Sequence, residues 1–163
     1  MTTPSDKPLA LDAMAVAPNK VPSVSPEPFY GLLKHRVHRV RRALGNAFGL
    51  KNFGVNLTLL PSGSRSAMLH RHSKQDEFIY VVERTPTLVT DQGEQQLAPG
   101  MCAGFPAGGV AHCLVSNSGA NVVYVEVSDR TPDDDDATYP NDDLKAELVD
   151  GRWVFSHKDG RPY

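Results

Sequence analysis

His70-Arg71-His72-Ser73-Lys74-Gln75-Asp76-Glu77-Phe78-Ile79-Tyr80-Val81-Val82-Glu83 is the stretch on which the reading of this chain turns. Its second half is rich in aromatic and β-branched residues, which predicts a strand over residues 77–83. Side chains of a strand alternate between faces, so residues two apart share a face. His70 and His72 therefore point one way, and Leu69 and Arg71 the other. Residues 73–76 are polar and turn-like, and a chain that reverses there brings Glu77 back beside both imidazoles. With Glu77 inward, Ile79 and Val81 also face in and give the site an apolar lining, while Phe78 and Tyr80 share the outer face.

Outward from this stretch the chain continues to read as β. Residues 55–60 predict a strand closed by Pro61-Ser62-Gly63. Thr87–Thr90 predicts another, followed by a turn over 91–94, a run to Leu97 and a break at Pro99-Gly100. Short strands are expected over 101–105 and 110–115, around the turn Pro106-Ala107-Gly108-Gly109, and over the valine-rich 121–127. The second of these carries a third histidine, His112. Alternation turns its neighbour Cys113 away from the cavity, as a packed core thiol. Many short strands, regular turns and almost no helical period argue for an all-β sandwich or barrel. Trp153-Val154-Phe155, between Asp150-Gly151 and Asp159-Gly160, reads as a terminal hairpin or strand packed on the body.

The 163 residues fit one ordinary domain, and a net charge of −2 gives no basic face for a nucleic acid. No apolar run approaches the ~20 residues that span a bilayer. Two cysteines, Cys102 and Cys113, are too few for a disulfide scaffold, and a reduced, cytoplasmic setting is the simple expectation. Residues 9–17 are mildly apolar, but Asp12 interrupts them, and no leader peptide is expected. Six prolines within residues 1–28 predict an extended or poorly ordered arm unless it packs on a partner subunit. Residues 35–42 form a basic run, read as a solvated edge element. Asp133–Asp136 lacks the spaced ligands and glycine of a calcium loop and reads as a solvated acidic loop. His35, His38 and His157 are expected to be surface or packing residues.

The paired histidine blocks resemble the two motifs of the cupin superfamily. The first motif is glycine, His-x-His, glutamate and a closing glycine, matched here by Gly63, His70, His72 and Glu77, with Arg84 in the closing position. The second is matched by Gly100, Pro106, Gly108, His112 and Asn117. One extra residue separates Gly63 from His70, and one lies on each side of His112. These slips fall in turns and spare the ligands; Arg84 implies a different turn. The likeness covers residues 52–128, the core of a single domain over 29–163. The flanks, including Leu44–Leu50 and His157–Tyr163, are similar to a bacterial group of small cupins, some provisionally labelled sugar-phosphate isomerases.

The resemblance implies a double-stranded β-helix, the cupin jelly-roll barrel, often as a homodimer. It also implies a divalent metal held by His70, His72, Glu77 and His112. Three imidazoles and a carboxylate suit Zn, Fe, Mn, Ni or Co. Three functions for a small-molecule-binding chain stay open: a metal-dependent sugar or sugar-phosphate isomerase or epimerase, a non-haem iron dioxygenase, and a non-catalytic sensor. Arg65, Lys74 and Arg84 are the candidate substrate contacts. Glu126, whose facing the sequence leaves open, is the one remaining candidate base.

Overall fold

A computed structural model describes residues 7–21, 25–29, 39–130 and 134–163. Thirteen strands and one short helix are seen among them. In chain order these are β1 (Asn19–Val21), β2 (Arg39–Arg42), α1 (Leu44–Phe48), β3 (Phe53–Leu60), β4 (Arg71–His72), β5 (Glu77–Glu83) and β6 (Thr87–Thr90). They continue as β7 (Gly93–Gln96), β8 (Cys102–Phe105), β9 (His112–Val115), β10 (Val122–Asp129), β11 (Asp136–Thr138), β12 (Lys145–Val149) and β13 (Arg152–Ser156).

Six strands form one sheet in the order β1-β2-β3-β10-β5-β8. The ladders β13-β12-β11-β4 and β7-β6-β9 face it as a second layer. Antiparallel bridges His70↔His112 and Arg65↔Val115 join these two ladders along residues 65–72. All the pairings are antiparallel. This is the double-stranded β-helix that the motifs imply.

Alternation decides what lies between the layers. Leu60, Ile79, Val81, Leu88, Leu97, Phe105, Leu114, Val122 and Tyr124 form the main core cluster. Each such side chain removed from water contributes about 1.5–3 kcal/mol. On β5, Phe78 and Tyr80 are exposed, so the inward set is the one that begins with Glu77. Leu69 and Cys113 turn away into a smaller cluster with Ala111.

Two local expectations change, at the basic run and at Arg84. Within the arm, β1 is extended and pairs with β2 at the end of the six-stranded sheet. The described part of the basic run, Arg39–Arg42, is not an edge, because β2 lies between β1 and β3. His35 and His38 lie outside the described residues. Leu44–Phe48 makes a helical turn, closed by Gly49 at φ +72° with Leu50 N–H donating to Gly45 O at 2.9 Å. Arg84 itself takes φ +67°, the left-handed backbone that glycine favours, so the turn keeps its form with an arginine in it.

Two glycines tie the motif segments together. Gly108, at φ +69°, donates its N–H to His72 O at 2.8 Å. A Cβ on Gly109 would stand 2.7 Å from Pro106 O, so that turn closes only around glycine.

Candidate metal centre

His70 and His112 are direct cross-strand neighbours, and their rings lie 5.3 Å apart between centroids. His72, two residues on, sits on the same face with its ring 5.1 Å from that of His70. Glu77 opens β5 in the opposite layer, paired with Phe105 and Ser128. Three imidazoles from one sheet therefore meet a carboxylate from the other. One ligand atom each of His70, His72 and Glu77 lie within 4.8 Å of one another, so the triad could hold a metal ion. His112 joins them through Nε2, 3.0 Å from Glu77 Oε2, and His72 Nε2 lies 3.8 Å from the same oxygen.

Each imidazole is oriented by an acceptor at its other nitrogen. His70 Nδ1 contacts Met68 O at 2.9 Å, and His112 Nδ1 contacts Val110 O at 3.4 Å. His72 differs: its Nδ1 turns to a side chain, Asp135 Oδ2, at 2.5 Å. An acceptor at Nδ1 places the proton there and leaves the Nε2 lone pair facing the cavity. Glu77 Oε2 is buried and has no aligned hydrogen-bond partner. Lone pairs thus face a carboxylate oxygen with nothing positive between them. That donor set fits a transition-metal cation.

The electrostatics agree. Burial pushes the His70 imidazole down to about 4, so it is neutral near pH 7 and able to ligate. Burial acts to raise the Glu77 carboxyl, and only positive charge beside it, from a hydrogen bond of protonated His112 and from protonated imidazoles, holds the group down at about 2. With the imidazoles neutral, a metal cation would supply that charge. Aromatic rings fix the cluster sterically. Phe105 stacks on His112 with centroids 3.5 Å apart, and Tyr139 and Trp153 lie against His70 and His72 at 6.0 and 5.9 Å.

The cluster opens on a cavity of about 690 Å³ between the layers. The wall formed by the six-stranded sheet, which also carries Glu77, is polar: Arg39, Arg41, Asn56, Tyr124 and Glu126 all line the cavity. Glu126, the candidate base, faces inward, held by Arg41 Nε at 2.6 Å and by Asn56 Nδ2, which donates at 3.2 Å. Leu148, Trp153 and Phe155 from the terminal β12–β13 hairpin close another side.

The three candidate substrate contacts are elsewhere. Arg65, Lys74 and Arg84 do not line the cavity. Arg65 bridges to Val115 on the outer layer, Lys74 pairs with Asp134, and Arg84 is exposed in its turn. Alternation had set Arg71 outward, and it pairs there with Asp91 at 2.9 Å. His157 is a packing residue, stacked on Tyr163 and bonded to Asp143. The acidic run is not a uniform solvated loop: Asp134 is exposed, but Asp135 is only 3% exposed and Asp136 begins β11. Asp133 lies outside the described residues. Arg39, Arg41, Tyr124 and Asp135 are the site residues that sequence reasoning missed. A signal was present for three of them: Arg39-Val40-Arg41 and Tyr124-Val125-Glu126 alternate polar and apolar, as His70-Arg71-His72 alternates faces.

The chain belongs to the cupin superfamily. Residues 56–128 match the Cupin domain family. Among solved structures it is similar to a sugar phosphate isomerase of the cupin superfamily from Silicibacter pomeroyi, at 36% identity over 94% of this chain and 96% of that one, with a TM-score of 0.85. A protein from Acidithiobacillus ferrooxidans, provisionally named a sugar phosphate isomerase, is 28% identical over 78% of this chain and 81% of that one, with a TM-score of 0.72. A polyketide cyclase from Streptomyces resistomycificus shares the fold at 20% identity, over 74% and 78% of the two chains, with a TM-score of 0.59. No curated protein sequence matches at a significant level.

Proposed function

We propose that this chain is a metal-dependent isomerase or epimerase of a small sugar or sugar phosphate, with the ion held by His70, His72, Glu77 and His112. The observation that carries the reading is the convergence of oriented Nε2 lone pairs on the buried Glu77 oxygen, in a cavity where the strand beside Glu77 presents a second carboxylate, Glu126. The Silicibacter relative supports the substrate class.

A bound transition metal would supply Lewis acidity to a carbonyl oxygen and its neighbouring hydroxyl. The protein supplies the rest. Glu126 takes the proton from the carbon beside the carbonyl, and the C–H electron pair passes towards the carbonyl group. For isomerisation Glu126 returns the proton to the former carbonyl carbon while the hydroxyl proton passes to the former carbonyl oxygen; for epimerisation the proton returns to the same carbon on its other face. Asn56 and Arg41 hold that carboxylate in place. Burial, with the charge of Glu126, pushes the Tyr124 phenol well above its usual range, so it stays protonated, a donor for a substrate oxygen and not a base. Ile79, Phe105 and Leu114 shield the proton transfer from water.

The test is carbon-bound deuterium uptake. Metal-loaded protein is incubated in D2O with a panel of aldose and ketose phosphates. Exchange at the carbon beside the carbonyl is expected, and Glu126→Gln should lower its rate by about 10²–10⁴-fold. Oxygen consumption by the ferrous protein without such exchange would replace the isomerase by a dioxygenase. Ligand-dependent stabilisation with neither reaction would make the chain a sensor.

A further inference from the structure

The six-stranded sheet, which carries Glu77 and faces the three histidines, is over-supplied with donors on its cavity side. Arg39 and Arg41 stand two apart on β2, so their side chains share a face, and both line the cavity. Arg41 pairs across to Thr58, and Thr58 to Tyr124, so the three form one row on the inner face of the sheet. Two guanidinium groups share one carboxylate: Glu126 lies 2.6 Å from Arg41 Nε and 3.9 Å from Arg39 Nη1. Tyr124 is 1% exposed and stands near Arg39, Arg41 and Glu126. Among the described residues neither its Oη nor Arg39 Nε nor Thr58 Oγ1 has an aligned hydrogen-bond partner.

Such a wall is costly as it stands. Buried polar groups left unpaired lose about 1–3 kcal/mol each. The like charges of Arg39 and Arg41 also oppose one another: burial first, then Arg39, lowers the Arg41 guanidinium from its ordinary value. Among the described residues Glu126 is the one carboxylate within ion-pair distance of the two cations, and Glu77 acts on Arg41 at longer range. An anion arriving there meets donors already aimed at it, and arginine suits planar, paired recognition of oxyanions.

We propose that Arg39, Arg41 and Tyr124 form the seat of a substrate phosphate monoester, with Glu126 as the resident counter-ion between the two guanidinium groups. Three non-bridging oxygens match three donor side chains. The seat deepens the isomerase reading and rests on it only for the identity of the remainder of the substrate.

The test separates the seat from the metal and from turnover. Calorimetry on chelator-treated full-length protein measures binding of inorganic phosphate, ribose 5-phosphate and, as a carboxylate, glycerate. Saturable phosphate binding is expected, tighter than that of glycerate. Arg41→Met should weaken it about tenfold, the worth of one charged hydrogen bond. Glu126→Gln removes the competing carboxylate and should tighten it, a sign that a merely structural role for the wall does not produce. Should Arg41→Met alone fail to fold, with Glu126 left under-compensated, the Arg41→Met/Glu126→Gln pair removes both charges and should bind phosphate no better than background. Arg65→Met, away from the cavity, should leave binding unchanged.

No saturable phosphate binding by the unmodified protein, equal affinity in Arg41→Met, or tighter binding of glycerate would each overturn the proposal. Phosphate binding as expected, with no deuterium exchange on any sugar phosphate, would leave the seat standing and remove the isomerase. Exchange with no effect of Arg41→Met on phosphate affinity would do the reverse.

Discussion

The two walls of the cavity are complementary in what they lack. The histidine wall presents lone pairs towards Glu77, which the facing sheet carries, so that end of the cavity is short of a cation. The arginine wall presents Arg39 Nε, Tyr124 Oη and Thr58 Oγ1 without aligned acceptors among the described residues, so it is short of an anion. A molecule with an electron-poor carbon at one end and an oxyanion at the other suits the space between. The walls also differ in how the chain builds them. His70, His72 and Glu77 lie within eight residues of one another, and two of the imidazoles are oriented by backbone carbonyls two residues back. Arg39, Arg41, Asn56, Tyr124 and Glu126 come from three strands that meet only through sheet pairing.

That contrast predicts the largest effect at the histidine wall. Replacing His72 by Ala removes both a ligand and the partner of Asp135. Metal affinity should fall by more than the ~10–100-fold that an outer partner is worth. Phosphate affinity in the chelated protein should stay where it was. Metal content after dialysis, set beside phosphate calorimetry on the same protein, checks both halves. Loss of phosphate binding in metal-free His72→Ala would show that the walls are not independent and would break the comparison.

Local encoding explains what could be read in advance. Alternation from His70 gave the facing of Leu69, Ile79, Val81 and Cys113, and each is packed as that period requires. The arginine wall stayed hidden for a physical reason. Alternation puts Arg39 and Arg41 on one face of β2 but says nothing about which strands flank it. A basic strand at an edge and one inside a sheet have the same sequence. Only the register Arg41↔Thr58↔Tyr124 turns it towards the cavity. Asp135 stayed hidden in another way, because a run of aspartates looks uniform while burial selects one of them. The selected one is Asp135, whose Oδ2 meets His72 Nδ1 while its Oδ1 accepts from the backbone of the turn that follows, a pairing that no spacing within the run announces.

Asp135 is therefore the one place where the histidine wall depends on a remote segment, and it carries the next largest effect. Its Oδ1 accepts from the backbone N–H of Lys74 at 3.0 Å and of Gln75 at 3.4 Å, while Oδ2 takes His72. In Asp135→Asn the amide can offer an N–H to Nδ1 and move the imidazole proton to Nε2, where it blocks the ligand atom. Metal affinity should drop about 10–100-fold. Asp135→Ala should add a loss of stability of about 1–3 kcal/mol, because the Lys74 and Gln75 donors lose their acceptor. Equal metal affinity in Asp135→Asn and the unmodified protein would reduce the aspartate to a turn-former.

The smallest effect belongs behind the histidine wall, at Cys113. Its neighbour His112 is within reach of Glu77, yet Cys113 is 1% exposed, packed with Leu69 and Ala111, and its thiol is pushed up by burial. A buried, raised thiol is a poor nucleophile and a poor ligand. Cys102 is exposed on β8. A thiol reagent should accordingly titrate one cysteine in the native chain and both after unfolding. Cys113→Ala should cost about 1 kcal/mol in a denaturant melt, from the small space it leaves, and should leave metal affinity unchanged. A fall in metal affinity would mean that the sheet does not hold His112 in place without sulfur packed behind it. The histidine wall would then be less locally determined than its spacing suggests.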